Sequence, residues 1–235
     1  YRCSYHDGHI IFKNKKLLWS PSSIPPTVRS AMNPDDVSLE ELRIPAKGNK
    51  IRVIDILPNQ IVTDEFIAEA IVKNGFVESN TIDDILKIVV IERHKATGRI
   101  GKAFVRGFGL KQGAIGSTVA HDSHNIVIVG TNDADMFAAF QQIKKLKGGL
   151  VVINNGKLVA QLPLPVGGLL SAKSFEETAA DLKNLKQKVK TLGGTHDSPF
   201  MILSFLCLSA IPKLKVTDLG LIDVEKFKIT SLFAD

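Results

Sequence analysis

Residues 117–130, STVAHDSHNIVIVG, place His121 and His124 three positions apart, with Asp122 and Asn125 beside them, directly against an apolar run of strand length. A second polar group, Glu92, Arg93 and His94, closes another such run at 86–92. If the two strand ends are neighbours, His94, His121 and His124 converge. Three imidazoles with Asp122 or Glu92 as a carboxylate then match the nitrogen and oxygen ligand sets of zinc or manganese. Spacing alone is weak support, because H-x-x-H in a loop lacks the geometric guarantee of H-E-x-x-H on one helix face. The alternative is a polar turn in which His121 and His124 hydrogen-bond their own loop while His94 is an ordinary strand-end residue. As a site, the expected form is a solvent-reachable pocket with Asp122 facing it, Ser117 on its rim and Asn125 as a ligand or partner. Metal affinity there would fall as the histidines protonate below about pH 6.

Just upstream, GFGLKQGAIGS at 107–117 offers bare backbone N–H groups at Gly109 and its neighbours, together with Lys111. Such a stretch can bind an anion or let a flat ring approach closely, or it can simply bend a twisted sheet. It is neither a P-loop nor a dinucleotide fingerprint, since both glycine orders are absent. No G-x-S-x-G elbow occurs, Cys207 has no polar neighbour in sequence, and the H-x-E with P-C-x-x-C pattern of zinc nucleobase deaminases is missing. THDSPF at 195–200 repeats a His-Asp-Ser triplet, but Ser198-Pro199 already reads as a helix start. QLPLPVGGLLS at 161–171 reads as a buried crossover.

These residues need elements to hold them. Apolar runs at 51–57, 86–92, 102–106, 114–119, 125–130, 150–153 and 157–161 have strand length, and several are apolar on both faces, as in a sheet covered on both sides. Asn155-Gly156 between the last two predicts a hairpin with a type I′ turn, so the sheet is expected to be mixed. Helices are expected over 132–147 (caps Thr131 and Asn132, stop Gly148), over 175–192 (capping box Ser174 and Glu177) and over 198–210, the last apolar all round and therefore buried. Ahead of these, 9–12 and 17–19 around KNKK read as a β-hairpin that needs a sheet to join. The Pro- and Ser-rich residues 21–50 read as a linker, with a compact domain from about Ile51 to 235.

Composition narrows the class. An apolar fraction of 44% over 235 residues is ordinary for a globular chain with a real core. No apolar run approaches the roughly 20 residues of a membrane span, and no signal peptide opens the chain. Two cysteines, Cys3 and Cys207, at opposite ends argue against a disulfide framework and for a reducing cytoplasm. The net charge of +6 is spread over KNKK, KKLK and KNLKQKVK without interleaved aromatics, so these are solvated faces and no nucleic-acid partner is expected. The chain begins at Tyr1 without an initiator Met, as an interior segment of a longer polypeptide would.

Three long stretches then carry a likeness: VVIERHKATGRIGKAFVRGFGLKQGAIGSTVAHDSHNIVIVGTNDADM, GGLVVINNGKLVAQLPLPVGGLLS and DSPFMILSFLCLSAIPKLKVTDLGLIDVEKF. From about Ile51 onward the chain resembles the carboxy-terminal domain of bacterial and archaeal adenine deaminases, members of the amidohydrolase superfamily. DGHIIFKNKKLL is similar to the hairpin that follows their catalytic barrel, and RIPAKGNKIRVIDI to its connection into the last domain. The resemblance implies hydrolysis of adenine to hypoxanthine and ammonia in a metal-dependent (β/α)8 barrel carrying an H-x-H strand, a bridging acid and a catalytic aspartate. None of these maps onto this chain, which has no H-x-H.

The fold expected is thus an α/β domain with a mixed sheet and packed helices, preceded by a hairpin (residues 1–20) from a β-sandwich, with the barrel absent. The partners implied are adenine, an amino-terminal amidohydrolase barrel and further copies in a homo-oligomer. The cofactor implied is Mn²⁺, or Fe²⁺ or Zn²⁺, mainly in the barrel. For the histidine cluster the resemblance leaves two roles: an accessory metal site of His94, His121, His124, Asp122 and Glu92, or a wall of the adenine pocket with contacts from Ser117, Asn125, Gly109 and Lys111. The rival class is a stand-alone, non-catalytic nucleobase- or metal-binding domain.

Overall fold

The computed structural model describes residues 2–20 and 32–234. At the start, β1 (Cys3–His6), β2 (His9–Lys13) and β3 (Lys16–Leu17) form a small antiparallel sheet in that order. Asn14 and Lys15, both at positive φ, make the turn from β2 to β3, so the hairpin is tighter than the KNKK spacing suggests. Among the described residues this sheet takes no further strand, and the linker residues 21–31 lie outside them.

The linker was expected to reach residue 50, yet the core begins earlier. Val37, Leu42 and Ile44 are buried, and α1 (Leu39–Leu42) is a single turn closed by a capping box between Ser38 and Glu41. The S-x-x-E signature of that box was present in the sequence.

The main body is an eight-stranded mixed sheet in the order β13-β12-β10-β11-β8-β9-β4-β5. Its strands are β4 (Lys50–Ile56), β5 (Thr63–Glu69), β8 (Ile85–Ile91), β9 (Ile100–Arg106), β10 (Ala114–Ser117), β11 (Ile126–Gly130), β12 (Gly149–Asn154) and β13 (Lys157–Pro163). β6 (Val72–Lys73) and β7 (Phe76–Val77) form a separate short pair. Only β4 and β9 run parallel, so these strands are not those of a (β/α)8 barrel. The β12–β13 hairpin turns on Asn155 and Gly156, both at positive φ as a type I′ turn requires.

All seven residues of β8 are buried because both faces of the sheet are covered. On one face lies α2 (Asp133–Leu146), whose Met136, Ala139, Phe140 and Ile143 recur at helical spacing and pack on Val89, Ile91, Ile128 and Val151. Asn132 caps its first turn by accepting from the Asp135 N–H, and Lys147, ahead of the expected Gly148, takes the left-handed stop. The other face is covered by α3 (Phe175–Thr191), by α4 (Pro199–Phe205) and by β14 (Leu214–Thr217), β15 (Gly220–Asp223) and β16 (Lys228–Ile229), which bring Leu185, Val189, Leu203, Val216 and Leu221 onto Ile88, Val90, Val127 and Val129.

The third helix differs from expectation. α4 ends at Phe205 and Met201 is 54% exposed, so it is neither long nor wholly buried. The Leu206 carbonyl accepts from Val216 N–H in β14, a tertiary bond that replaces continuation of the helix and leaves Cys207 just beyond it.

Candidate functional site

The register decides which polar residues meet. β8 and β11 pair antiparallel with Ile91 opposite Ile126, and β10 pairs with β11 with Ser117 opposite Val127. Residues 92–94 and 118–125 must therefore emerge at the same end of the sheet. The HDSHN segment is the loop of the β10–β11 hairpin, closed by the His124 N–H donating to the Ala120 carbonyl at 2.6 Å with His124 itself at φ 51°.

Within this loop the histidines are brought near one another and held differently. His121 and His124 have ring centroids 6.0 Å apart. His121 Nδ1 lies 2.5 Å from Ser204 Oγ on α4, and its ring stacks on Phe205 with centroids 4.8 Å apart. His94 is exposed and its Nε2 donates to the Ser123 carbonyl at 2.8 Å, tying the 92–97 turn to the histidine loop. His124 is half-buried, and its Nδ1 has no hydrogen-bond partner among the described residues. Burial first, then the positive neighbours His121, Arg93 and His94, hold the His124 imidazole below its ordinary pKa against the opposing pull of Asp122. Asp122 is exposed.

Glu92 does not face this cluster. Its carboxylate accepts the backbone N–H groups of His94 (2.5 Å), Lys95 (3.0 Å) and Thr97 (3.1 Å) and the Thr97 hydroxyl (3.0 Å). Burial would raise the pKa of this carboxyl, but the donors of His94, Thr97 and Lys95 together outweigh it and bring it to about 2. Glu92 therefore anchors its own turn. Among the described residues no group of three or more His, Cys, Asp or Glu side chains is arranged to hold a metal ion.

Asn125 is likewise committed: its Oδ1 accepts from Arg93 N–H at 3.3 Å and its Nδ2 donates to Asp218 at 3.0 Å. Ser117 is buried, exchanges hydrogen bonds with the Val119 backbone, and lines a cavity of about 190 Å³ under α4 that Ser204 also lines. Its hydrogen bonds go to Val119 and not to a histidine.

Gly109 and Lys111 lie elsewhere. Ala114 opens β10 opposite Gly130, at the far end of β11 from the histidine loop, so residues before 114 sit at the other end of the sheet. There the glycine N–H groups already hold an anion of the chain itself: Gly107 and Gly109 donate to Asp84 at 3.1 and 2.7 Å. A side chain at Gly109 would meet Thr195 at 2.6 Å, and Lys111 donates to the Thr81 carbonyl at 2.6 Å.

Sequence reasoning did not single out the residues that organise the histidine end. Arg93, only 1% exposed, donates from Nε to the His124 carbonyl and from Nη2 to the Gly167 carbonyl at 3.0 Å, and burial lowers its pKa. Thr118 Oγ1 donates to the Gly168 carbonyl at 2.5 Å, so the Gly-Gly turn of QLPLPVGGLLS folds over Arg93. The pattern of an Arg next to the named His94, and a Gly pair free of its own element, was the available signal. Ser204 and Phe205 had none, because only the docking of α4 brings them there.

The arrangement presents one exposed carboxylate and three imidazoles on a rigid, hydrogen-bonded base, a surface suited to hydrogen-bonding a polar, flat ligand or an opposing protein face. A model of the adenine deaminase C-terminal domain matches residues 60–228. Relatives include adenine deaminase 2 of Carboxydothermus hydrogenoformans (43% identical over 96% of this chain) and the adenine deaminases of Desulfatibacillum aliphaticivorans (46% over 97%) and Methanothrix thermoacetophila (42% over 97%). In each case the match covers 40% of the relative's own length. The HDSHN hairpin loop, the Arg93 base and every strand of the main sheet except β4 fall within residues 60–228, and on that match and the relatives' identity the chain belongs to the adenine deaminase family as its C-terminal domain.

Proposed function

We propose that this chain is the C-terminal part of an enzyme that hydrolyses adenine to hypoxanthine and ammonia, and that its histidine loop forms a wall of the adenine pocket. The observation that carries the reading is the identity of 42–46% to adenine deaminases along nearly the whole chain. In this reading water attacks C6 after activation on a divalent metal, Mn²⁺ or else Fe²⁺ or Zn²⁺, held by an amino-terminal barrel.

The residues here position. His121 is oriented by Ser204 and Phe205, and His124 is kept neutral by burial, so both can donate or accept at a purine edge. Asp122, exposed beside them, is the remaining acceptor. A wall fits these groups better than an accessory metal does, because Glu92 Oε1 and Oε2 and His94 Nε2 are already engaged. The enzyme is proposed to be a cytoplasmic homo-oligomer, a compartment that suits the free thiols Cys3 and Cys207. No helix among the described residues is long and apolar enough to cross a membrane.

The test is an ammonia-release assay on the full-length protein, on the full-length His121→Ala variant and on residues 1–235 alone. Full-length protein should convert adenine; His121→Ala should lower kcat/KM at least about tenfold with bound metal unchanged. Residues 1–235 should be inactive. Turnover by residues 1–235, or metal lost along with His121, would overturn the reading.

A further inference from the structure

Ser204 on α4 is 1% exposed, and its hydroxyl makes its hydrogen bonds with one residue, His121. The His121 backbone N–H is shared between the Ser204 carbonyl and the Ser204 hydroxyl oxygen, each at 3.2 Å. The same hydroxyl lies 2.5 Å from His121 Nδ1. A neutral imidazole carries its proton on one ring nitrogen, and a serine has one hydroxyl proton to place. The direction of the short contact therefore sets the tautomer of His121.

Were Nδ1–H the donor, two N–H groups would converge on Ser204 Oγ and the hydroxyl proton would have no acceptor among the described residues. An unmatched donor at a buried position is costly. With the hydroxyl donating to Nδ1 instead, the hydroxyl proton, the Nδ1 lone pair and the backbone N–H are all matched. The ring proton then sits on Nε2. That nitrogen makes no hydrogen bond among the described residues, and the His121 side chain is only partly buried, so the N–H is available to a ligand. Stacking on Phe205 fixes the plane in which it points.

We propose that Ser204 is a positioning residue that fixes His121 as the Nε2–H tautomer, so that the histidine loop offers a hydrogen-bond donor and pairs with an unprotonated ring nitrogen of adenine. The tautomer follows from this chain's own geometry; the purine contact rests on the adenine-pocket reading above. A donor held in one direction attracts a ring nitrogen that carries a lone pair and rejects a ring N–H or the exocyclic amino group. It therefore selects which edge of the purine turns toward the loop, a discrimination that a ring free to exchange tautomers lacks.

The two halves are tested separately. In this chain with isotope-labelled histidine, at about pH 8.5 where an ordinary imidazole is neutral, long-range proton–nitrogen NMR spectra should show His121 protonated at Nε2 alone, and Ser204→Ala should bring in an Nδ1–H fraction. A parent His121 protonated at Nδ1, or a Ser204→Ala spectrum unchanged from the parent, would overturn the proposal. In the full-length protein Ser204→Ala should lower kcat/KM for adenine at least about tenfold, but less than about twofold when added to His121→Ala. Ser204→Thr keeps the hydroxyl, has the adjoining cavity for its methyl group, and should restore kcat/KM to within about threefold. Competitive inhibition by adenine analogues with carbon in place of N1, N3 or N7 reads the ligand contact. Ser204→Ala should weaken the analogue that lacks the partner of His121 less than about twofold, and the other two at least about tenfold. Equal weakening of all three, or full additivity with His121→Ala, would overturn the purine contact. No adenine turnover by the parent full-length protein would overturn the deaminase reading and that contact with it, while the NMR spectra still decide the tautomer.

Discussion

The imidazole of His121 lies flat against the ring of Phe205, planes 2° from parallel and centroids 4.8 Å apart, while the neighbouring Ser204 hydroxyl takes up His121 Nδ1. The last turn of α4 thus orients a loop 83 residues earlier in the chain. Phe205→Ala removes the stacked surface but keeps the Ser204 contact. It should destabilise the protein by about 2 kcal/mol in urea unfolding. The His121 ring-proton resonances should also lose their ring-current shift, which an unrelated packing loss would not change.

Glu92 is predicted to make acid stability depend on one turn. Its pKa falls from 4.5 to about 2 on folding, so its contribution is complete above about 4.5, where both states are ionised. It is lost as pH falls through the window from 4.5 to about 2, and is worth about 3 kcal/mol at neutral pH. Glu92→Gln should therefore be destabilised at pH 7 and converge with the parent protein near pH 2. Urea midpoints measured across that range check this; a gap that does not narrow would remove Glu92 as its source.

His124 should titrate below the ordinary histidine value. Burial, with His121, Arg93 and His94 adding repulsion and Asp122 opposing it, lowers its folded pKa beneath 6.5. Its neutral form therefore favours the folded state above about 6.5, and that contribution is lost as pH falls through the lowered value. Ring-proton NMR titration should place the His124 midpoint below 6.5. Asp122→Asn should lower it further.

Gly101 in β9 should tolerate no side chain. A Cβ there would fall 1.7 Å from the Thr217 carbonyl oxygen and 2.9 Å from the Gly220 nitrogen, both backbone atoms of the β14–β15 turn. Gly101→Ala should cost about 3 kcal/mol or more, read as a lowered Tm, because two backbones have to separate. Gly156→Ala meets no atom within 4 Å and should lose only the smaller strain of a left-handed turn position.

The sheet was legible where burial is two-sided or turn chemistry is strict. β8 and β11 are unbroken apolar runs, Asn155-Gly156 announced its hairpin, and Ser174 with Glu177 marked the start of α3. β5 was missed because an edge strand keeps polar residues: TDEFIAE alternates only loosely and buries Thr63 and Ala68. β14 to β16 were missed for a similar reason, since LKVT and GLID are short and rely on the sheet beneath them. At the site, the approach of His94 to His121 and His124 followed once β8 and β11 were neighbours. The placement of Gly109 and Lys111 beside them did not hold, because β10 lies between and carries the chain across the sheet.

What the sequence by itself determined is local: which segments are strands or helices, where Asn155 turns, and that His121, Asp122 and His124 share one loop. Those properties depend on periodicity, capping and turn preferences that act over a few residues. The tertiary structure decided what these groups do. Glu92 closes its own turn, Asp84 fills the glycine cradle, Ser204 and Phe205 arrive from α4 to orient His121, and Lys215 is buried with its ammonium donating to the Ile61 carbonyl. Each depends on which strand lies beside which and on what covers the faces, and hydrogen-bond satisfaction in a buried environment is settled only when all the partners are in place.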